Sequence, residues 1–294
     1  MAAPAAPATV AAAPKKSSSL LLLIIGGLFL LILLAGFTSY FLRGSLSISS
    51  APVPKPGDNK PPDPNAPTKP DLVSLPAGTF QMGRSDGADQ EGPVRSVNVG
   101  AFSIDRTEVT NAEYAQFVQE TGHTAPRQLV NGKPASGQEQ WPVTNVSLDD
   151  AKAFAEWRSK RDGVTYRLPT EEEWEYAARD GSQGSIFPWG NEWGDDKANV
   201  DSTSLKPVGT SPEDKTKAGL VDMMGNAYEW TTSKASYYPG SKGQVRPDNK
   251  DWIIVRGGAY LTDTSRKQIS ATFRDWIPSA TKNAGLGFRL VRSQ

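Results

Sequence analysis

Arg167-Leu168-Pro169-Thr170-Glu171-Glu172-Glu173-Trp174-Glu175-Tyr176-Ala177-Ala178-Arg179 is the stretch on which the reading of the fold turns. Thr170 and Glu173 stand in a capping-box relation: the hydroxyl accepts from the amide three residues on, and the carboxylate reaches back to the threonine amide. The acidic first turn suits the positive end of a helix, and Trp174 and Ala177 begin its apolar stripe. The same grammar occurs twice upstream. Thr110-Asn111-Ala112-Glu113 precedes Tyr114 and Phe117, and Ser147-Leu148-Asp149-Asp150 precedes Ala151, Phe154 and Ala155. Three helix starts are therefore expected. Ahead of them, residues 72–82 read as a strand broken at Pro76-Ala77-Gly78, and residues 94–104 alternate as another. After Arg179 the chain becomes Gly/Pro/Asn/Asp loops with short apolar strands at 219–221, 252–255 and 288–291. The expected class is α+β, irregular and loop-rich.

Bulk composition narrows the function classes. The 294 residues carry Lys+Arg 32 and Asp+Glu 32, for a net charge of zero. No basic excess is available to release counterions from a phosphate backbone, so nucleic acid is excluded as a partner. Cysteine is absent, which removes disulfides, thiolate metal sites and thiol nucleophiles. Gly 27, Pro 23 and Trp 8 suit a loop-rich domain with an aromatic core.

Four regions follow along the chain. Residues 1–19 form a short polar, Ala-rich tail. Residues 20–42 are a Leu/Ile-rich run without a charge, long enough as a helix to cross a hydrocarbon core of about 30 Å and longer than a signal-peptide apolar region, so a single transmembrane helix is expected. Lys15 and Lys16 before it, against Arg43 after it, turn the following domain away from the cytoplasm. Residues 43–70 are Pro-rich and read as an extended spacer. Residues 71–294 form one domain with no internal repeat.

Several runs within that domain resemble, in order, the signatures of the formylglycine-generating-enzyme or sulfatase-modifying-factor family. They are Leu75-Pro76-Ala77-Gly78-Thr79-Phe80-Gln81-Met82-Gly83, Thr107-Glu108-Val109-Thr110-Asn111, Pro142-Val143-Thr144-Asn145-Val146-Ser147, the opening Arg167 to Arg179 run, Phe187-Pro188-Trp189-Gly190, Met224-Gly225-Asn226-Ala227-Tyr228-Glu229-Trp230, Val255-Arg256-Gly257-Gly258 and Gly285-Leu286-Gly287-Phe288-Arg289. The resemblance implies a C-type-lectin-like architecture. Arg167, Glu173, Glu229, Arg256, Arg274 and Arg289 are expected to pair and to bind loop carbonyls in a strand-poor core. Glu171 to Glu175 are explained by capping and solvation.

What the resemblance implies chemically is mostly a loss. The two cysteines with which family members bind copper fall near Thr262 and Lys267 here, and neither a hydroxyl nor an ammonium is a soft donor for Cu(I). No copper or iron is expected, and no catalytic residue is assigned. His123 is the single histidine, which excludes a two-histidine iron site; it reads as a solvated loop residue. A Ser-His-Asp triad would need it as base, and no nucleophile elbow is expected. The resemblance also implies structural calcium, with Asp222, Gly225, Ala227 and Glu229 as ligands of one site and Asn199 and Val200 at the start of a second. A persisting groove would lie beside Ala259, Tyr260, Thr262, Arg266, Lys267, Arg274 and Trp276, suited to an acidic or aromatic partner. The expected role is a membrane-anchored binding or regulatory module for a protein, peptide or glycan. The alternatives are an oxidase with an unorthodox site and an envelope scaffold.

Overall fold

The computed structural model of the chain describes residues 70–194, 196–264 and 269–293. The tail, the expected membrane span at 20–42 and the spacer up to residue 69 lie outside them. Among the described residues no helix is long and apolar enough to cross a membrane.

All three capping boxes form. Helix α1 (Asn111–Thr121), α2 (Leu148–Asp162) and α3 (Glu171–Ala178) begin at Thr110, Ser147 and Thr170, whose side chains accept from Glu113, Asp150 and Glu173 amides. Each N3 carboxylate returns the bond to its cap amide, at 3.0, 2.8 and 2.9 Å. α1 and α2 both end at a left-handed glycine, Gly122 and Gly163, each with φ of 70°, where a side chain would meet its own carbonyl.

Strands surround the helices in three small sheets. β1 (Leu72–Leu75), β4 (Phe102–Asp105), β10 (Val291–Ser293) and β5 (Tyr166–Arg167) make one antiparallel sheet in that order. β2 (Gly78–Met82) and β3 (Arg95–Val99) form a hairpin. The third sheet runs β8 (Asp275–Ile277), β7 (Ile253–Arg256), β6 (Tyr228–Lys234) and β9 (Leu286–Gly287), with β6 and β9 parallel. The break expected at Pro76-Ala77-Gly78 spans only 76–77, with Gly78 already the first residue of β2. The run at 94–104, expected as one strand, is two, parted at Gly100 so that β3 serves the hairpin and β4 the first sheet. Residues 219–221 form no strand, only a bridge from Lys215 to Val221.

Two apolar clusters fill the interior, one under the β2–β3 hairpin and α3, the other under α1 and α2. In the second, Tyr114 stacks on Phe154 at 5.5 Å, and Phe288 meets Phe154 edge-on at 5.4 Å. Aromatic pairs of this kind add about 0.5–1.5 kcal/mol beyond burial.

Charge is buried between these clusters. Arg274 holds Glu171 through two bonds of 2.8 and 2.7 Å, Arg256 holds Glu175, and Arg289 holds Glu229 at 2.8–2.9 Å. Every one of these six side chains is at most 4% exposed. Glu171 and Glu175 are thus core ion-pair partners rather than solvated first-turn acids. The helix rotates residues 171 and 175, one turn apart, onto its inner face, while Glu173 reaches Arg167 at 2.7 Å on the outer one. Glu229 and Arg256, cross-strand neighbours on β6 and β7, take different partners. The guanidinium forks also bind loop backbone: Arg256 donates to the Ala271 and Phe273 carbonyls, and Arg289 to those of Asp105, Arg106, Val221 and Asp222.

Candidate functional site

A cleft of about 470 Å³ opens over the β6–β9 sheet. Its floor is Val255, Tyr228 and Leu286, from three neighbouring strands, and its walls are the 259–263 loop, Asp275 and Ile277 of β8, and Thr281 and Asn283. The register explains the grouping. Tyr228 lies opposite Leu286, and Val255 opposite Asp275. Because neighbours along a strand alternate, Asp275 and Ile277 face the cleft while Trp276 turns aside and packs edge-on against Tyr237 at 5.5 Å.

Gly257 and Gly258 let the chain leave β7 and fold over the cleft. Their φ angles are 92° and 79°, and a Cβ at Gly258 would stand 2.8 Å from Ile269. The loop then closes on itself: the Thr262 hydroxyl accepts from the Ala259 amide at 2.8 Å, and the Thr262 amide donates to the Ala259 carbonyl at 2.8 Å. Thr262 is therefore a turn-forming residue. Burial raises the Tyr228 phenol; a hydrogen bond to Thr262 opposes the rise and the Asp275 carboxylate adds to it. Burial likewise raises the Asp275 carboxyl, against the bond it accepts from the Trp276 amide at 2.8 Å.

Of the expected groove residues, Ala259 and Thr262 line the cleft. Tyr260 stands beside it, with its ring near Gly285. Arg274 does not: its side chain runs inward to Glu171, the Gln90 carbonyl and the face of Tyr238 at 4.1 Å. Arg266 and Lys267 lie outside the described residues. The described lining carries Asp263 and Asp275 and no lysine or arginine. The expectation that Arg274 lines the groove is thus corrected, because its guanidinium is held in the core by Glu171. Tyr228, Asp275 and Asn283 went unnoticed in the sequence; the alternation phase of β8, fixed by buried Arg274, was the signal for Asp275.

Of the expected calcium ligands, Asp222 and Glu229 meet at Arg289, while Asn199 lies beside Gly225. Asn199 pairs with Gly225 in a parallel bridge, and its carbonyl accepts from the Asn226 amide at 2.8 Å. Asp222 and Asn226 adopt left-handed backbone, with φ of 54° and 53°. The Asp222 carboxylate accepts from the Gly209 amide, and Glu229 takes Arg289 and the Trp174 indole at 2.7 Å. Oxygen donors are the right chemistry for calcium, and the buried Asn199 Oδ1 has no partner. Glu229, however, is already neutralised, so Asp222 and backbone carbonyls would carry the ion. Among the described residues no three acidic or imidazole groups form a metal shell.

His123 is pinned rather than freely solvated. Its Nε2 lies 2.9 Å from Asp150, and its ring packs on Phe117 at 4.8 Å. Gly83-Arg84-Ser85-Asp86-Gly87 does carry the spacing of a nucleophile elbow, contrary to expectation. It follows β2 into bends and a short 3₁₀ turn at Asp89–Glu91 rather than an α-helix, while the one imidazole is held by Asp150. No triad results.

Comparison with known proteins agrees with this architecture. Residues 58–294 match the family described as "Sulfatase-modifying factor enzyme 1-like domain". The chain belongs to the sulfatase-modifying factor family. It is 32% identical over 280 residues to the cattle protein named "Inactive C-alpha-formylglycine-generating enzyme 2", covering 74% of this chain and 86% of the relative. It is also 32% identical over 282 residues to the formylglycine-generating enzyme of Streptomyces coelicolor, covering 74% and 87%. Among solved structures, PvdO from Pseudomonas aeruginosa superposes with a TM-score of 0.63 at 28% identity, covering 76% of this chain and 95% of that one. This family member has no cysteine anywhere in its 294 residues.

Proposed function

We propose that the chain is a membrane-anchored, non-catalytic sulfatase-modifying-factor domain, a binding or regulatory module that presents its cleft and loops to a protein, peptide or glycan outside the cytoplasm. The observation that carries this reading is at Thr262. Where the resemblance calls for a copper-binding thiol, a hydroxyl is tied into its own turn by the Ala259 amide. The chain supplies no sulfur ligand other than four thioethers, and its one imidazole is engaged by Asp150. The cattle relative whose name includes "Inactive" supports the idea that the scaffold persists without the reaction. The charge-free run at 20–42 supports the anchor, and the Lys15-Lys16 pair before it supports the outward orientation.

The test is to incubate the full-length chain in detergent with copper or iron and a cysteine-containing sulfatase peptide. The expected result is no metal-dependent oxygen uptake and no aldehyde. Turnover with stoichiometric metal would replace this reading with an oxidase of formylglycine-generating type. Pull-down from solubilised membranes should recover the partner; a permanent stoichiometric envelope complex would favour the scaffold alternative. Structural calcium at Asp222 and the carbonyls of Gly225 and Ala227 belongs to the same reading. A ligand of the native state raises stability by mass action, so chelation should lower the melting temperature, and an unchanged value removes the ion from the account.

A further inference from the structure

We draw no further inference here: the strongest candidate, the cavity of about 360 Å³ beyond the end of α3, walled by Trp189, Pro188, Pro212, Lys215 and Lys217, carries Asp180 and Glu213 beside its two lysines and so selects no charge, and nothing in the structure shows what covers it.

Discussion

The two faces of the β6–β9 sheet carry opposite kinds of polar chemistry. On the buried side Arg256, Arg274 and Arg289 are each held by a carboxylate and by loop carbonyls, so each guanidinium is fixed by several bonds at once. On the cleft side Tyr228, Thr262 and Asp275 make few bonds, mostly to their own loops. Adjacent residues supply both: Arg256 faces in beside Val255, which lines the cleft, and Arg274, just before β8, faces in beside Asp275, which faces out. The difference teaches how a family scaffold could keep its loops in place whether or not its cleft keeps a reaction. The groups that hold the loops together are not the groups that line the cleft, so the cleft residues are free to change while the ionic core keeps the loops in place.

Removing an interior arginine is the hardest blow to that division. Arg289→Met would leave Glu229 buried without its cation and would take one donor from each of four carbonyls. Breaking a buried pair from one side costs about 3–5 kcal/mol. Chemical denaturation should show a loss at least that large, or no folded protein. A loss under about 1 kcal/mol would mean that the interior charges are as dispensable as those of the cleft. Trp174→Phe tests the same centre more gently, since it keeps every ion pair while removing the indole donor to Glu229 and part of a buried ring that packs on Arg256. A loss of about 2–4 kcal/mol is expected, one hydrogen bond to a buried charge plus the small cavity left behind.

How much of this was legible in the sequence follows the range of each interaction. The capping boxes at Thr110, Ser147 and Thr170 could be read because both partners lie within four residues. The family signatures gave the α+β fold for the same reason, as short runs in a fixed order. That Arg167 meets Glu173 was also visible. That Arg256 takes Glu175 rather than its cross-strand neighbour Glu229 was not, because the choice depends on how α3 docks on the sheet across some eighty residues of chain. Arg274 was placed in the groove through the same ignorance of phase: sequence shows an arginine next to Asp275 and Trp276, and only the sheet shows which of them points inward.

At the N-terminus of α2, Asp150 occupies an intermediate position between the two regimes. Its partial burial disfavours the charge, but bonds from Lys282 at 2.7 Å, Ser147 and His123 outweigh that and bring its carboxyl down to about 2. A depressed acid stabilises the fold above its unfolded value near 4 and loses that contribution as pH falls through the folded value. Between about pH 4 and pH 2 the wild-type chain should lose stability that Asp150→Asn lacks throughout, at most about 2 kcal/mol after solvent screening is allowed for. Acid titration of both proteins measures this, and curves of the same shape would mean that the side chain is not coupled to folding.

Asp275→Asn should have the smallest effect and the opposite sign. Burial raises the Asp275 carboxyl, so its charged form opposes folding above the unfolded value, and that opposition disappears once the pH drops below it. The asparagine variant should therefore be equal to wild type or slightly more stable at neutral pH, within about 0.5 kcal/mol, with the difference closing on acidification. Denaturant midpoints at pH 7 and pH 4 measure this directly. A clear destabilisation at pH 7 would make Asp275 part of the framework, and the separation between an ionic core that holds loops and a cleft free to vary would fail at its most exposed charged residue.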